Sequence, residues 1–277
     1  MKNDDIIDQS RRFAINKGSR LAIAAGLVGL SSLASANQKK TDALKVNAIY
    51  AEPAQYGLKR PDVKIDPKRV GLVVVDPQVD FLSPKGVAWG VLGASVTENN
   101  TVENIETLFK AAKKLDIPVV ISPHYYYPQD HQWKFLAPGE NFMHESHMFA
   151  RKGAYTLSGF EGSGADFLER YKPYIYDGKT VIASPHKVFG PETNDVILQL
   201  RKQNVSQVIL AGMAANLCIE SHMREFIEQG FEVIVVKDAT AGPRVPEGDG
   251  YLAALTNYRL IANALWTTEE TVKKIKG

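Results

Sequence analysis

The chain has 277 residues, 44% of them hydrophobic and 23% charged, with a formal net charge of +2. These values describe an ordinary globular protein with one sizeable core and, by default, one domain. They exclude a basic surface of the kind that nucleic acid demands, so no DNA or RNA partner is expected.

Ser10-Arg11-Arg12-Phe13 precedes an apolar run from Leu21 to Leu33, which ends in Ala34-Ser35-Ala36. A basic segment, an apolar run and a small-x-small site read as an export signal over residues 1–36, of the twin-arginine type or, since Phe13 follows the arginines directly, of the general secretory type. The expected mature protein starts near Asn37 and is periplasmic or secreted. Because the run is too short and too rich in Gly, Ser and Ala to make a spanning helix of about 20 apolar residues, no membrane anchor should persist after cleavage. Residues 37–65 are polar, with scattered prolines and no period, and read as an extended arm. The remainder, 66–277, is the expected domain.

Val70-Gly-Leu-Val-Val-Val75 is a β-branched run ending at Asp76-Pro77, the pattern of a strand buried on both faces. Thr97 to Leu115 carries apolar residues at helical spacing until Asp116-Ile117-Pro118 stops it, and Val119 to Ile121 is the next strand. Residues 123–163, rich in His, Gly and aromatic residues, show no period and read as a functional loop region forming substrate walls. Helix Gly164 to Tyr171, strand Thr180 to Ala183, helix Thr193 to Gln203, strand Gln207 to Ala211, helix Asn216 to Gln229 and strand Glu232 to Lys237 then alternate. A helix from Gly250 to Ala264 and the segment Leu265 to Thr268 close the chain. Such alternation predicts an α/β fold of three layers, a doubly wound, mostly parallel sheet with helices on both faces.

In such sheets ligands bind beyond the carboxyl ends of the strands, so polar residues there are the ones to weigh. Asp76 is either an acceptor for turn amides or a general base. Cys218 is the only cysteine, so it is either buried filler or a reactive thiol; it follows a strand and a small-residue turn and opens a helix, where backbone amides and the helix dipole favour thiolate. Lys187, just past the strand ending at Ala183, is either a surface lysine or the cation that joins Asp76 and Cys218.

Asp76-Pro-Gln-Val-Asp-Phe81 after a strand, together with Gly212-Met-Ala-Ala-Asn-Leu-Cys218, resembles the paired signatures of the isochorismatase-like cysteine hydrolases. The resemblance continues through Glu228 to Ala239 and covers about residues 66 to 270. It implies an Asp-Lys-Cys triad with Asp76 as general base and Cys218 as nucleophile. The family's lysine immediately precedes the position of Pro185, where Ser184 stands here; Lys187 is therefore assigned as third member, ahead of Lys179 and His186. The resemblance also implies an oxyanion hole made by the backbone amides of Ala214 and Cys218, and a cis peptide before Ala214. Gln78, Phe81, Trp89, His124, Met213 and Asn216 are expected to face the substrate. Tyr125, Tyr126, Tyr127 and Trp133 either wall the same pocket with Trp89 or are ordinary packing.

The expected reaction is attack of the Cys218 thiolate on a small amide or carbamoyl compound, a thioester intermediate, and protonation of the leaving amine by Asp76. Vinyl ether hydrolysis of the isochorismate type is the alternative chemistry, and it uses no cysteine. A catalytically idle relative acting as a binding or assembly module is another reading, and a reactive thiol forming an intermolecular disulfide is a third. Nicotinamidase-type relatives bind a divalent ion through Asp-x-His, which Ser122-Pro-His124 lacks, while His131, His144 and His147 match no familiar spacing. No cofactor and no required metal are expected. Relatives usually assemble, so a homo-oligomer is.

Overall fold

The unbroken β-branched run at Val70 has both faces covered: strand β1 (Val70–Val75) is buried at every residue. The other strands among the described residues are β2 (Val119–Ser122), β3 (Val181–Ile182), β4 (Gln207–Met213), β5 (Glu232–Ala241), β6 (Arg244–Val245), β7 (Gly248–Asp249) and β8 (Ala264–Trp266). Six of these strands pair in the order β3-β2-β1-β4-β5-β8, and every pairing is parallel. β6 and β7 form a separate antiparallel pair. The structure, a computed structural model, describes residues 52, 53 and 55–277. The expected export signal and most of the expected arm fall outside the described residues, and the compact unit considered below is Gly57–Gly277.

The helices are α1 (Val79–Leu82), α2 (Trp89–Glu98), α3 (Thr101–Lys114), α4 (Pro138–Glu145), α5 (Lys172–Ile175), α6 (Val196–Lys202), α7 (Glu220–Glu228), α8 (Gly250–Ile261) and α9 (Thr268–Lys276). Because side chains alternate along a strand, β1 feeds two cores. Leu72 and Val74 pack with Ile105, Leu108 and Phe109 of α3 and Ile275 of α9. Val73 and Val75 pack with Leu200 of α6, Met223 and Phe226 of α7, and Tyr258 of α8. The result is the expected three-layer α/β sandwich. From β1 the chain moves to β2 and β3 on one side, and later to β4, β5 and β8 on the other, so the order reverses between β1 and β4. Ligand sites of open α/β sheets form at such a point.

The helix expected over Thr97–Leu115 is broken: Asn100 is left-handed, with φ of 53°, a conformation Asn tolerates better than most residues, and it separates α2 from α3. The helix expected over Gly164–Tyr171 is absent. Phe167 instead bridges to Gln78, and Gly164 lies so close to Asp80 that an added Cβ would come within 2.0 Å of its carboxylate. Only a turn at Glu169–Tyr171 and the short α5 remain. At the C-terminal end the sequence also hides α9. Its N-terminus is a capping box in which Thr267 Oγ1 accepts from the Glu270 amide at 3.1 Å and Glu270 Oε2 accepts from the Thr267 amide at 2.7 Å, satisfying two donors reciprocally.

One glycine holds β4 against β1. Gly212 has φ of 120°, and a Cβ there would meet the Val75 carbonyl oxygen at 2.0 Å. Gly212→Ala is therefore expected to lower unfolding free energy by about 2 kcal/mol or more, through backbone strain and overpacking together. A urea midpoint equal to that of the parent protein would contradict this.

Candidate active site

Four neighbouring strands, from the β3 edge of the sheet to β4, each deliver one ionisable side chain beyond their carboxyl ends. Asp76 follows β1, His124 follows β2, His186 follows β3, and Cys218 follows β4. Exposure is 0% for the first three and 2% for the cysteine. The β2 and β3 directions continue far enough for His124 and His186 to form a parallel bridge, which sets their rings side by side at 4.6 Å between centroids. The Asp76 amide donates to the Ser122 carbonyl at 3.0 Å, and the residue sits at φ of 49°, turning the chain sharply where the strand ends.

His186 is the partner of Asp76. Its Nε2 donates to Oδ1 at 2.8 Å, with both side chains fully buried. Lys187 is not there. Its Nζ donates to the Tyr125 carbonyl at 2.8 Å and to Asp130 Oδ2 at 2.5 Å, and it covers the Tyr127 ring at 3.8 Å. The expected Asp76–Lys187–Cys218 grouping is thus corrected to Asp76–His186–Cys218. Neighbouring residues in extended chain point to opposite sides, so only one of His186 and Lys187 can face β1. Lys179, the other lysine weighed, pairs with Asp116 at 3.0 Å on the surface. Lys187 instead locks the loop beyond β2, because Asp130 also accepts from the Tyr127 amide. Lys187→Met is expected to cost about 1–3 kcal/mol of stability by stranding a buried acceptor, while changing kcat/KM by less than about tenfold. Thermal unfolding and turnover measured on the same preparation check both halves.

Cys218 lies in a π-helical turn, Ala215–Ile219, between β4 and α7. The Met213–Ala214 peptide is cis, as the resemblance implies. The thiol, however, differs from the expected low-pKa group. Burial pushes its pKa well above the usual thiol value, and the facing Asp76 charge adds to this, while the amides of Ala214 and Cys218 pull the other way. The helix terminus does not win because the sulfur has almost no contact with water. A buried thiol of this kind also does not fit the exposed, low-pKa group needed for an intermolecular disulfide.

A second histidine braces Cys218 from behind. His222, one turn along from Cys218, donates from Nδ1 to the Cys218 carbonyl at 2.7 Å, and its Nε2 lies 2.8 Å from Ser122 Oγ. Ser122 Oγ in turn accepts from Asn194 Nδ2 at 2.8 Å. That relay needs a neutral imidazole. Burial, with the neighbouring His186 ring adding to it, holds the His222 pKa well below the ordinary value, and His124 is lowered the same way. His222 and Asn194 are not singled out by the sequence; a histidine four residues after the cysteine on one helix face is the signal that was available.

Several residues expected to face substrate are engaged in internal packing or hydrogen bonds. Gln78 is fully buried; its Nε2 donates to the carbonyls of His124 and Ala165 at 2.8 and 2.9 Å, and its Oε1 accepts from the His124 amide at 2.9 Å. Phe81 packs edge-on against Phe149 at 4.9 Å, and Met213 is fully buried in the core. His124 joins the reactive cluster. Trp89 and Asn216 are partly exposed, and the buried Asn216 Oδ1 accepts no hydrogen bond. Asp80, the last acid of the first motif, accepts from the amides of Val87 at 3.2 Å and Phe149 at 2.8 Å. It thereby ties two loops to α1, and burial raises its pKa. As for metal, Asp76, His124, His186 and Cys218 are the group among the described residues whose ligating atoms gather, all within 4.8 Å of one another.

A family model described as the isochorismatase domain matches residues 70–270. Among solved structures, a cysteine hydrolase from Pseudomonas syringae pv. phaseolicola is 19% identical, covering 80% of this chain and 99% of its own, with a TM-score of 0.66. An isochorismatase family protein from Desulfovibrio vulgaris is 14% identical, covering 76% and 100%, with a TM-score of 0.58. N-carbamoylsarcosine amidase from Thermoplasma acidophilum is 16% identical, covering 73% and 97%, with a TM-score of 0.50. At these identities the structures speak for the fold, while the family model spans most of the chain. The chain belongs to the isochorismatase family of hydrolases.

Proposed function

We propose that the protein is a cysteine hydrolase that cleaves the C–N bond of a small amide or carbamoyl compound through a Cys218 thioester. The observation that carries this reading is the meeting of Asp76, His186 and Cys218 beyond the carboxyl ends of β1, β3 and β4. A nucleophile, a base and a group that orients the base form the recurring constellation of covalent catalysis.

The resting enzyme holds a neutral thiol. Substrate entry brings a carbonyl carbon to the sulfur; Asp76 takes the thiol proton as the C–S bond forms, and the carbonyl oxygen becomes an oxyanion facing the Ala214 and Cys218 amides. His186 holds the Asp76 carboxylate in place through its Nε2–H, the role given to lysine in the family pattern. Collapse of the intermediate expels the amine, which receives the proton from Asp76. Water, deprotonated by the same carboxylate, then attacks the thioester and frees the acid. Donors placed where the oxyanion develops are worth about 3–4 kcal/mol each in comparable sites.

A panel of small amides and carbamoyl compounds, read by ammonia release, tests the reading. Mass spectrometry of the quenched enzyme should show an acyl adduct on Cys218 that hydroxylamine removes. His186→Gln should lower kcat by about 10²-fold or more; full activity in that variant would remove His186 from the chemistry.

A further inference from the structure

The reactive cluster has more unsatisfied ligand atoms than a hydrolytic triad uses. Asp76 Oδ2, His124 Nδ1 and His186 Nδ1 are all buried without a hydrogen-bond partner, and each such atom costs about 1–3 kcal/mol when left alone. The opposite nitrogen of each ring is already committed: His186 Nε2 donates to Asp76 Oδ1 at 2.8 Å, and His124 Nε2 donates to the Lys187 carbonyl at 3.1 Å. In the neutral rings the proton therefore sits on Nε2, and Nδ1 keeps its lone pair. Metal-ligating histidines are held as His124 is, with the second nitrogen donating to a backbone carbonyl.

We propose that Asp76, His124, His186 and Cys218 together bind one Zn²⁺ ion, and that the ion, by taking the Cys218 thiolate as a ligand, reversibly withdraws it from reaction. One thiolate, two imidazoles and one carboxylate are a donor set that tetrahedral zinc accepts, with Zn–S of about 2.3 Å and Zn–N of about 2.0 Å. One donor atom from each of the four side chains already lies within 4.8 Å of the others; His124 binds through Nδ1, and the His186 ring, shifting its proton to Nδ1, gives up its hydrogen bond to Asp76 and binds through the Nε2 that already faces the carboxylate, so side-chain rotations of about an ångström close the shell. The charges also match: zinc with one thiolate, one carboxylate and two neutral imidazoles is neutral, as a site at 0–2% exposure requires. Binding exchanges the thiol proton, released to solvent, for a Zn–S bond, with no change of oxidation state. The ion acts as a brake on the nucleophile and is not required for turnover. The site owes nothing to an Asp-x-His pair, since Ser122 occupies the first position and Asp76 and Cys218 supply the anions.

The full chain, freed of metal with a chelator, is titrated with Zn²⁺ against a chromophoric competitor and with Co²⁺ as a spectroscopic probe. The expected results are one ion per chain, tetrahedral d–d bands, and a thiolate-to-cobalt charge-transfer band that disappears in Cys218→Ser. His124→Gln and His186→Gln should each weaken zinc binding by about 10-fold or more. Replacing His131, His144 and His147 together by Gln should leave the charge-transfer band intact, because those residues lie outside the cluster. Zinc should stop alkylation of Cys218, and chelator should restore it. No stoichiometric zinc uptake, no charge-transfer band, or unchanged affinity in Cys218→Ser overturns the inference. The inhibitory half rests on the hydrolase reading, but none of these readouts needs turnover. A chain that binds zinc through Cys218 and hydrolyses no amide would refute the proposed function alone.

Discussion

Cys218→Ser is expected to lower kcat/KM by at least about 10³-fold, equivalent to about 4 kcal/mol of transition-state stabilisation, with little change in folding. The thiol is buried among Val73, Val75, Ala215 and Ile219, and serine differs there by a single atom of similar shape. A hydroxyl in the same place meets the same obstacle as the thiol, only more strongly: burial and the facing carboxylate oppose its ionisation, and its intrinsic pKa is far higher. A serine variant that unfolds at the parent temperature and retains no more than a trace of ammonia release is the expected result. Retention of more than a tenth of the parent activity would remove Cys218 from the nucleophile position.

Asp76→Asn is the second large effect, and it separates two properties that usually move together. Asn preserves the acceptor for His186 Nε2–H but cannot take a proton, so hydrolysis should fall by about 10²–10⁴-fold. The same change removes the negative charge that raises the Cys218 pKa. The sign follows directly: with the anion gone, thiolate is less costly, and the pH midpoint for alkylation of Cys218 by iodoacetamide moves down. Measured in chelator, the variant should thus alkylate at lower pH while it hydrolyses more slowly. A midpoint that stays in place or rises would show that Asp76 does not bear on the sulfur.

How much of this was legible in the sequence differs by element. The parallel sheet was readable because strands such as Val70–Val75 and Gln207–Met213 are unbroken apolar runs, and their covered faces leave no polar alternation. The meeting of Asp76 and Cys218 was readable because Asp76 directly follows such a run and Cys218 lies in the turn after another. The side chain that pairs with Asp76 was not. Choosing between His186 and Lys187 depends on which side of an extended chain faces β1, and a one-residue difference in phase reverses the answer. Lysine is the better cation on paper, but Asp130, 57 positions away, claims it. The pKa of Cys218 was misread for a related reason: sequence places a helix start beside the sulfur but does not show how completely water is excluded. The loop between His124 and Ser163 could not be folded from pattern, because it is held by single contacts such as Asp80 to the Phe149 amide.

The burial and protonation of Cys218 bear on how long the protein keeps working. Peroxides react with thiolates, and the first step toward irreversible sulfur oxides needs an ionised, accessible sulfur. Kept as a thiol at 2% exposure, this sulfur is a poor target except in the moments when substrate occupies the site. The arrangement favours longevity over instant readiness: chemical durability under oxidants should be set by how often the sulfur becomes exposed, and a bound substrate that shields it should lengthen that durability.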